Sequence, residues 1–469
     1  MQLLEILDRD MLRLIAMRKL LQPATDSQEI IANTVSAGPS ARYEFGLVML
    51  MFFTWGTVFL DRMSVLYLAP YIAPDLHLTH QQVGFLASSL AVAWALSTLF
   101  FGAVSDRIGR RPVLVPAVFA FSILSWLSGF ARSFTQLAVV RTLMGVAEGP
   151  TWSTITATIE ESSAPERRGR NVGVVVSAAA LVGLALAPVL TTQIAARSSW
   201  HVALFIAGVP GMILGTLLWK FVKEPGKNAA AGGHLKPSLD GYFSLLRYRN
   251  MWLCCLGSAG FMTWLWVMHT FAPLYITEVT KNSGTFAGLI MGASGVGAFL
   301  WGLVLPWVSD YIGRKPTLLV VALISGVLPL TYQAPFLIHH PWLMAFAGFM
   351  ANGGQCIAAL TLVVVPTESV PPQFAATAIG LATLVGEIVG GTVAPAISGA
   401  IADRHGLAAS LWIAAGGAIT VFIATLFMRE TAPFKNKICN LKSKSKDKSR
   451  FLSRGAGAKP SVSFVVSRW

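Results

Sequence analysis

The chain has 469 residues, 54% of them hydrophobic and only 12% charged. A soluble domain carries about 25% charged residues, so soluble globular enzymes, disordered chains and coiled coils are excluded. The net charge of +14 is unevenly spread. From Arg429 onward, Lys and Arg outnumber Asp and Glu by 11 to 2, a pattern that speaks of membrane orientation and not of nucleic-acid binding.

Residues 1–43 carry LLEILDRDMLRLIAMRKLL at 3–21, with apolar positions at helical spacing between charges. Acidic residues within it argue against a cleaved targeting peptide. The segment reads as an amphipathic surface helix or as a loosely ordered extension. Apolar stretches then predict twelve membrane-spanning helices, over about 45–71, 82–105, 112–131, 134–160, 169–194, 199–222, 251–277, 284–308, 315–333, 341–366, 374–401 and 408–428. The spans are helices because lipid offers the backbone no hydrogen-bond partner. The organisation is therefore an extension (1–43), a first six-helix half (44–222), a polar linker (223–250), a second half (251–428) and a basic tail (429–469). Cys254, Cys255, Cys356 and Cys439 form no CxxC pattern, so neither a zinc site nor a disulfide framework is indicated.

Loops after even-numbered spans hold fourteen Lys or Arg, and those after odd-numbered spans only Arg132, Arg197, Lys281 and Arg404. By the positive-inside rule both termini lie in the cytoplasm, and the basic tail faces anionic lipid. The chain also repeats itself. GAVSDRIGRRPVL at 102–114 returns as PWVSDYIGRKPTL at 306–318, and Ala187-Pro188 returns as Ala394-Pro395. Two six-helix halves of one topology explain this, with a ligand site at their interface near the bilayer midplane.

Gly102, Asp106, Arg107, Gly109, Arg110 and Arg111 resemble the loop signature of the major facilitator superfamily, with Asp310, Gly313 and Arg314 as the degenerate second copy. The resemblance covers about 45–428 and implies an all-α membrane fold of twelve helices in two pseudo-symmetric halves. It also implies a gating role for the signature residues. Locally, Gly109 suits a tight turn, Gly102 suits a close helix approach, and Asp106 suits an Arg partner or a helix N-terminus across the half-interface.

A charge at mid-bilayer costs about 2.5–3.5 kcal/mol on the lenient insertion scale, so intramembrane charges mark function. Asp61, Arg62, Arg141, Glu148 and Glu387 are such charges, with His269 a weaker sixth. Arg141 and Glu148 are seven residues apart, about 10 Å along one helix face, too far for a local pair. Cross-helix Arg–carboxylate pairs between the first and fourth spans are expected. VFLDRMSVLYLAPYIAPDL followed by RTLMGVAEGP resembles the anion:cation symporter family. The resemblance implies transport of a small organic anion coupled to protons, with sodium the alternative ion. Residue by residue it assigns proton coupling to Asp61 and Glu148, and binding of the substrate carboxylate to Arg62 and Arg141. Fixed structural ion pairs are the competing reading. The chain departs from many relatives at Trp94, where they have Tyr, and at Glu387, where they have a neutral amide; both are candidate site residues, Glu387 as a further proton site, the partner of an Arg or the recogniser of a donor group on the substrate.

Trp264, Trp266, His269 and Phe271 give the seventh span an aromatic surface, and Asn352 and Gln355 are polar candidates in the tenth. The histidines at 77, 80, 339 and 340 lack the acid or thiol partners of a metal site in sequence. The combined expectation is a monomeric, cofactor-free, proton-coupled importer of a sugar acid, dicarboxylate or aromatic acid in a bacterial inner membrane. A proton-driven exporter and a non-transporting sensor are the alternatives. No nucleophile–His–acid set or nucleotide loop suggests an enzyme. The tail from Lys435 has charge without apolar periodicity. Truncation after Phe434 is accordingly expected to leave uptake per molecule in the membrane unchanged, as measured in vesicles.

Overall fold

The computed structural model describes residues 41–223, 245, 247–371 and 374–432. The N-terminal extension before residue 41, most of the linker and the tail from residue 433 lie outside the described residues. Within them every regular element is helical. The long helices are α1 (Ala41–Tyr67), α2 (His80–Ile108), α3 (Arg111–Gly129), α4 (Phe134–Ser162), α5 (Arg168–Arg197) and α6 (Trp200–Phe221). The second half holds α7 (Arg249–Val279), α8 (Gly284–Ile312), α9 (Arg314–Gln333), α10 (Pro341–Ser369), α11 (Thr377–His405) and α12 (Ala408–Phe427). Eleven of these are long and apolar enough to cross a membrane. The twelfth, α4, is 29 residues long but carries Arg141, Glu148, Glu160 and Glu161, which lower its hydropathy. Large apolar side chains such as Phe45, Leu96, Trp219, Trp307 and Trp412 are exposed. An integral membrane protein presents such a surface to lipid. Cys254, Cys255 and Cys356 are buried free thiols.

The first span is not one helix to residue 71, as its apolar run predicts. It ends at Tyr67, and a separate short helix, Ala69–Asp75, follows Leu68. Pro70 and Pro74 lie in that short piece, where Pro70 has no N–H to extend the preceding helix.

The internal repeat shapes the seams between the halves. Proline cannot donate to the helix ladder, and a wide, π-type turn precedes Pro188 on α5 (Ala179–Leu186) and Pro395 on α11 (Glu387–Val393). Each proline region then meets a glycine of the other half. A Cβ at Gly84 on α2 would overlap the Pro395 carbonyl, and one at Gly288 on α8 would overlap the Pro188 carbonyl and the Thr192 hydroxyl. Only glycine lets these backbones touch. The α2–α11 and α8–α5 seams are thus copies of one another, offset by the same 204 and 207 residues as the sequence repeat.

At the loop end of the α2–α11 seam, a charged contact joins the halves. His80 Nδ1 lies 2.9 Å from Asp403 Oδ1 and Nε2 lies 3.1 Å from Glu278 Oε2. Asp403 also accepts the backbone N–H groups of His80 at 2.9 Å and Gln81 at 3.0 Å. A carboxylate from one half therefore satisfies the otherwise orphaned first-turn donors of a helix in the other. Both ring nitrogens face acceptors, so both bonds form only with the imidazolium. They are complete below the His80 pKa, which hydrogen bonding to Glu278 and Asp403 raises above the ordinary imidazole value, and one is lost as the pH rises through it. A partly exposed pair is worth about 0.2–1 kcal/mol, so this end is expected to open about 1.4- to fivefold more often at high pH. Thiol labelling of a cysteine at buried Ser398, with the four native cysteines replaced and normalised to a free thiol, measures it. In His80→Gln the labelling should be high and independent of pH.

The signature loops behave differently. Gly109 and Gly313 have φ of 109° and 117°, the left-handed region that favours glycine. Arg110 pairs with Asp106 at 2.5 Å and Glu161 at 3.1 Å, and it donates to Ser105 Oγ at 2.9 Å. The second copy repeats this in full: Arg314 pairs with Asp310 at 2.6 Å and Glu368 at 3.0 Å, and donates to Ser309 Oγ at 2.7 Å. Two expectations are corrected here. Asp106 meets Arg110 four residues on and not a partner across the half-interface, because the tight glycine turn folds the arginine back. Gly102 is not a point of close approach, since a Cβ there would find only Ser153 Oγ at 3.9 Å. Arg107 is exposed, and Arg111 donates to the Trp219 carbonyl. Each triad therefore closes within its own half.

Candidate functional site

Asp61 and Arg62 stand near the middle of the α1–short helix segment and are buried to within 2% of full enclosure. As neighbours they point about 100° apart. Asp61 turns towards α3, where Ser125 Oγ donates to its Oδ1 at 2.9 Å while Oδ2 has no partner. Arg62 turns towards the other half. Its guanidinium lies 4.3 Å from the ring centroid of Trp266 on α7, 5.2 Å from that of Trp94 on α2 and 5.9 Å from that of Phe59. Its Nη2 is 3.8 Å from Glu387 Oε2 on α11. Desolvated cation–π contacts of this kind contribute about 2 kcal/mol each. They hold the cation without hydrogen-bonding it, and Nε and Nη2 make no hydrogen bond.

Arg141 and Glu148 share one face of α4, as their spacing predicts, and both are buried. The two Arg–carboxylate pairs expected between α1 and α4 do not form. Arg141 donates instead to the backbone carbonyls of Arg62 at 2.8 Å and Asp61 at 3.4 Å, with Met144 Sδ at 3.3 Å. The planar fork finds two consecutive carbonyls of α1, which places Asp61 and Arg62 in register. Glu148 is wholly enclosed, within Coulombic reach of Arg62 and Arg141, and neither of its oxygens has a partner. Two arginines and three carboxylates thus form one buried, electrostatically coupled cluster at the junction of α1, α4, α7 and α11. The orphaned oxygens of Asp61, Glu148 and Glu387 are the chemistry of groups waiting for a proton or a ligand.

The remaining candidates divide. Trp94 joins the cluster through Arg62, and its indole N–H has no partner. His269 on α7 is fully buried, with Nδ1 2.8 Å from the Leu265 carbonyl, Nε2 unpartnered and Tyr67 of α1 beside it at 6.2 Å between rings. Asn352 gives its amide to the Gly348 carbonyl at 3.0 Å, and Gln355 abuts Gly302 of α8. No hydrogen bond among the described residues ties either amide to the charged cluster. Trp264 belongs to the second half's own packing, donating to the Ser325 carbonyl at 2.9 Å, so of the aromatic surface on α7 only Trp266 serves the cation.

Four participants were given no individual site role by the sequence. Ser125 carries no signal as one serine among many on α3. Trp266 was visible only as part of an aromatic run. Glu161 and Glu368 did carry a signal, because they are 207 residues apart, the offset already seen for the Ala-Pro pair.

The family model described as Major Facilitator Superfamily matches residues 50–389 and 266–457. A hexuronate transporter of Bacillus subtilis (strain 168) is 27% identical over 417 residues, covering 83% of this chain and 95% of the relative. A cis,cis-muconate transport protein of Acinetobacter baylyi is 26% identical over 395 residues, covering 79% of this chain and 91% of the relative. Among solved structures, the nucleoside transporter NupG matches with a TM-score of 0.68 at 16% identity, over 82% of this chain and 98% of that one. That likeness is one of fold. With its twelve helices, paired signature loops and duplicated seams, the chain belongs to the Major Facilitator Superfamily, a family of membrane transporters.

Proposed function

We propose that this protein is a secondary active transporter that carries a small organic anion together with protons by alternating access. The observation that carries this reading is Arg62: a buried guanidinium at the seam of the halves, beside the rings of Trp266 and Trp94, with two of its nitrogens, Nε and Nη2, making no hydrogen bond. A carboxylate is the ligand that fits such an edge, since it accepts two parallel hydrogen bonds from one guanidinium. The relatives named for hexuronate and cis,cis-muconate support the same substrate class. Sugar acids, dicarboxylates and aromatic acids share the carboxylate, and the flat indole faces suit a ring or an unsaturated chain.

Asp61 and Glu148 are the proposed proton carriers. A carboxylate bound at Arg62 takes over the positive charge that Glu148 shares, so Glu148 then favours its protonated form. Anion and proton binding are coupled through electrostatics alone. Arg141 acts by positioning α1. With the termini and signature loops in the cytoplasm of a bacterial inner membrane, as the loop charges support, the contacts at His80, Gly84 and Gly288 leave the arrangement closed on its outer side. The Asp106–Arg110–Glu161 and Asp310–Arg314–Glu368 triads would exchange partners across the halves when the inner side closes, which is the proposed gating step.

The test is uptake of radiolabelled D-glucuronate, cis,cis-muconate and benzoate into proteoliposomes under imposed pH or sodium gradients. Saturable uptake of at least one acid, driven by an inward proton gradient, is expected. Uptake of none, or accumulation that follows a sodium gradient alone, overturns the reading in its substrate or its ion respectively.

A further inference from the structure

Both arginines of the signature triads close tightly on their acids, at 2.5 to 3.1 Å. The Arg62–Glu387 pair does not. At 3.8 Å it lies beyond the 2.7–2.9 Å of a charge-assisted hydrogen bond, and the facing atoms, Nη2 and Oε2, are both left without any hydrogen bond although buried. A fixed architectural ion pair in so enclosed a place is expected to have full hydrogen bonding, because otherwise desolvation exceeds the attraction. The pair is also the one arginine–carboxylate contact between the halves among the described residues. Glu387 opens the wide turn Glu387–Val393, and its carboxylate lies against Gly391, where any Cβ would overlap it, and beside the Trp266 indole. The glycine therefore makes room for the carboxylate at the edge of the stacked guanidinium.

From this geometry we infer that Glu387 is an internal competitor of the substrate: its carboxylate takes the edge of Arg62 in the empty carrier, and an incoming organic carboxylate must displace it. The inference rests on the reading of Arg62 as the anion site. It gives Glu387 two consequences. In the empty protein it balances the charge of Arg62 and ties α11 to α1 across the seam. When substrate arrives it sets a threshold, so that only an acid making more than a loose 3.8 Å contact, through two hydrogen bonds on Nε and Nη2, wins the site. Glu387 is thus a specificity-determining residue that selects against weak or poorly shaped anions. The other ionisable groups around the pair are Asp61 on α1, Arg141 and Glu148 on α4 and His269 on α7, and the test keeps them constant by working at one neutral pH.

Purified full-length protein in detergent is titrated with D-glucuronate, cis,cis-muconate and benzoate, and the rise in thermal unfolding temperature gives an apparent midpoint for each acid. Removing an internal competitor relieves a coupling of typical allosteric size, so Glu387→Gln should lower the midpoint about tenfold and Glu387→Asp, which withdraws the carboxylate by one methylene, about threefold. Benzoate, which offers nothing beyond its carboxylate and ring, should gain most. Arg62→Gln should abolish the response to every acid. A response seen in the Glu387 variants but not in the natural protein also supports the inference, since the competitor then outlasts these acids. Midpoints unchanged or raised in both Glu387 variants overturn it and leave the transport reading standing. A response that survives Arg62→Gln, or none in any of the proteins, overturns both. Should Glu387→Gln not fold, Glu387→Asp retains a charged partner for Arg62 and decides alone.

Discussion

Replacing Arg141 by Lys is expected to reduce uptake about a hundredfold or more while leaving the amount of protein in the membrane unchanged. The cause is geometric. The Arg141 fork spans two consecutive carbonyls of α1, at Arg62 and Asp61, 2.8 and 3.4 Å from different nitrogens of one planar group. A lysine ammonium keeps the charge but is a point donor on a flexible stem and bridges the two carbonyls poorly. Losing one hydrogen bond from a charged donor costs about 1.5–3 kcal/mol. The loss falls on the turn of helix that aims Asp61 at Ser125 and Arg62 at the seam. A misplacement of about 1 Å at a reacting or binding group is enough for a hundredfold loss. Uptake in proteoliposomes, with membrane abundance measured in parallel, checks it. Near-normal uptake would mean that the register of α1 is held by packing alone.

The second large effect concerns coupling. On the proposed reading, Glu148→Gln together with Asp61→Asn removes proton-driven accumulation and spares exchange of substrate across the membrane. A pH gradient of one unit is worth about 1.4 kcal/mol per proton, so one coupled proton supports about a tenfold accumulation. In the double variant that ratio should fall to one. The amides keep the shape of the acids, and the one that replaces Asp61 can still accept from Ser125, but neither can change charge. Glu148 is the stronger single test, because neither of its oxygens has a partner whereas Asp61 is half satisfied. Paired measurements of uphill uptake and counterflow decide the matter. Accumulation that persists in the double variant would move the proton to Glu387 or His269.

Much of this molecule was legible in one dimension. Lipid forces every spanning segment to be a helix and forbids charge without purpose, so hydropathy locates the spans and the few charges within them locate the site. The repeat offsets gave the two-half plan, and the same offsets of 204 and 207 residues relate Gly84 to Gly288 and Glu161 to Glu368 in space. The span that was least apolar, α4, is the one that carries Arg141 and Glu148.

What the sequence could not decide is which polar group meets which. Arg62 and Arg141 have the same side chain, and both lie within apolar spans. One stacks on indoles at the seam, and the other is consumed by backbone carbonyls. That difference depends on the rotation of α1 and α4 to within a fraction of a turn, and on carbonyls, which carry no signature in sequence because every residue has one. The same holds for Glu387, whose pairing with Arg62 is set by a wide turn that Pro395 provokes, and for His80, which finds its two acids 198 and 323 residues away. Residue types and spacing determine the fold and the chemistry available to it. The packing of helices from distant parts of the chain decides which of those charges are spent on structure and which stay free for a ligand.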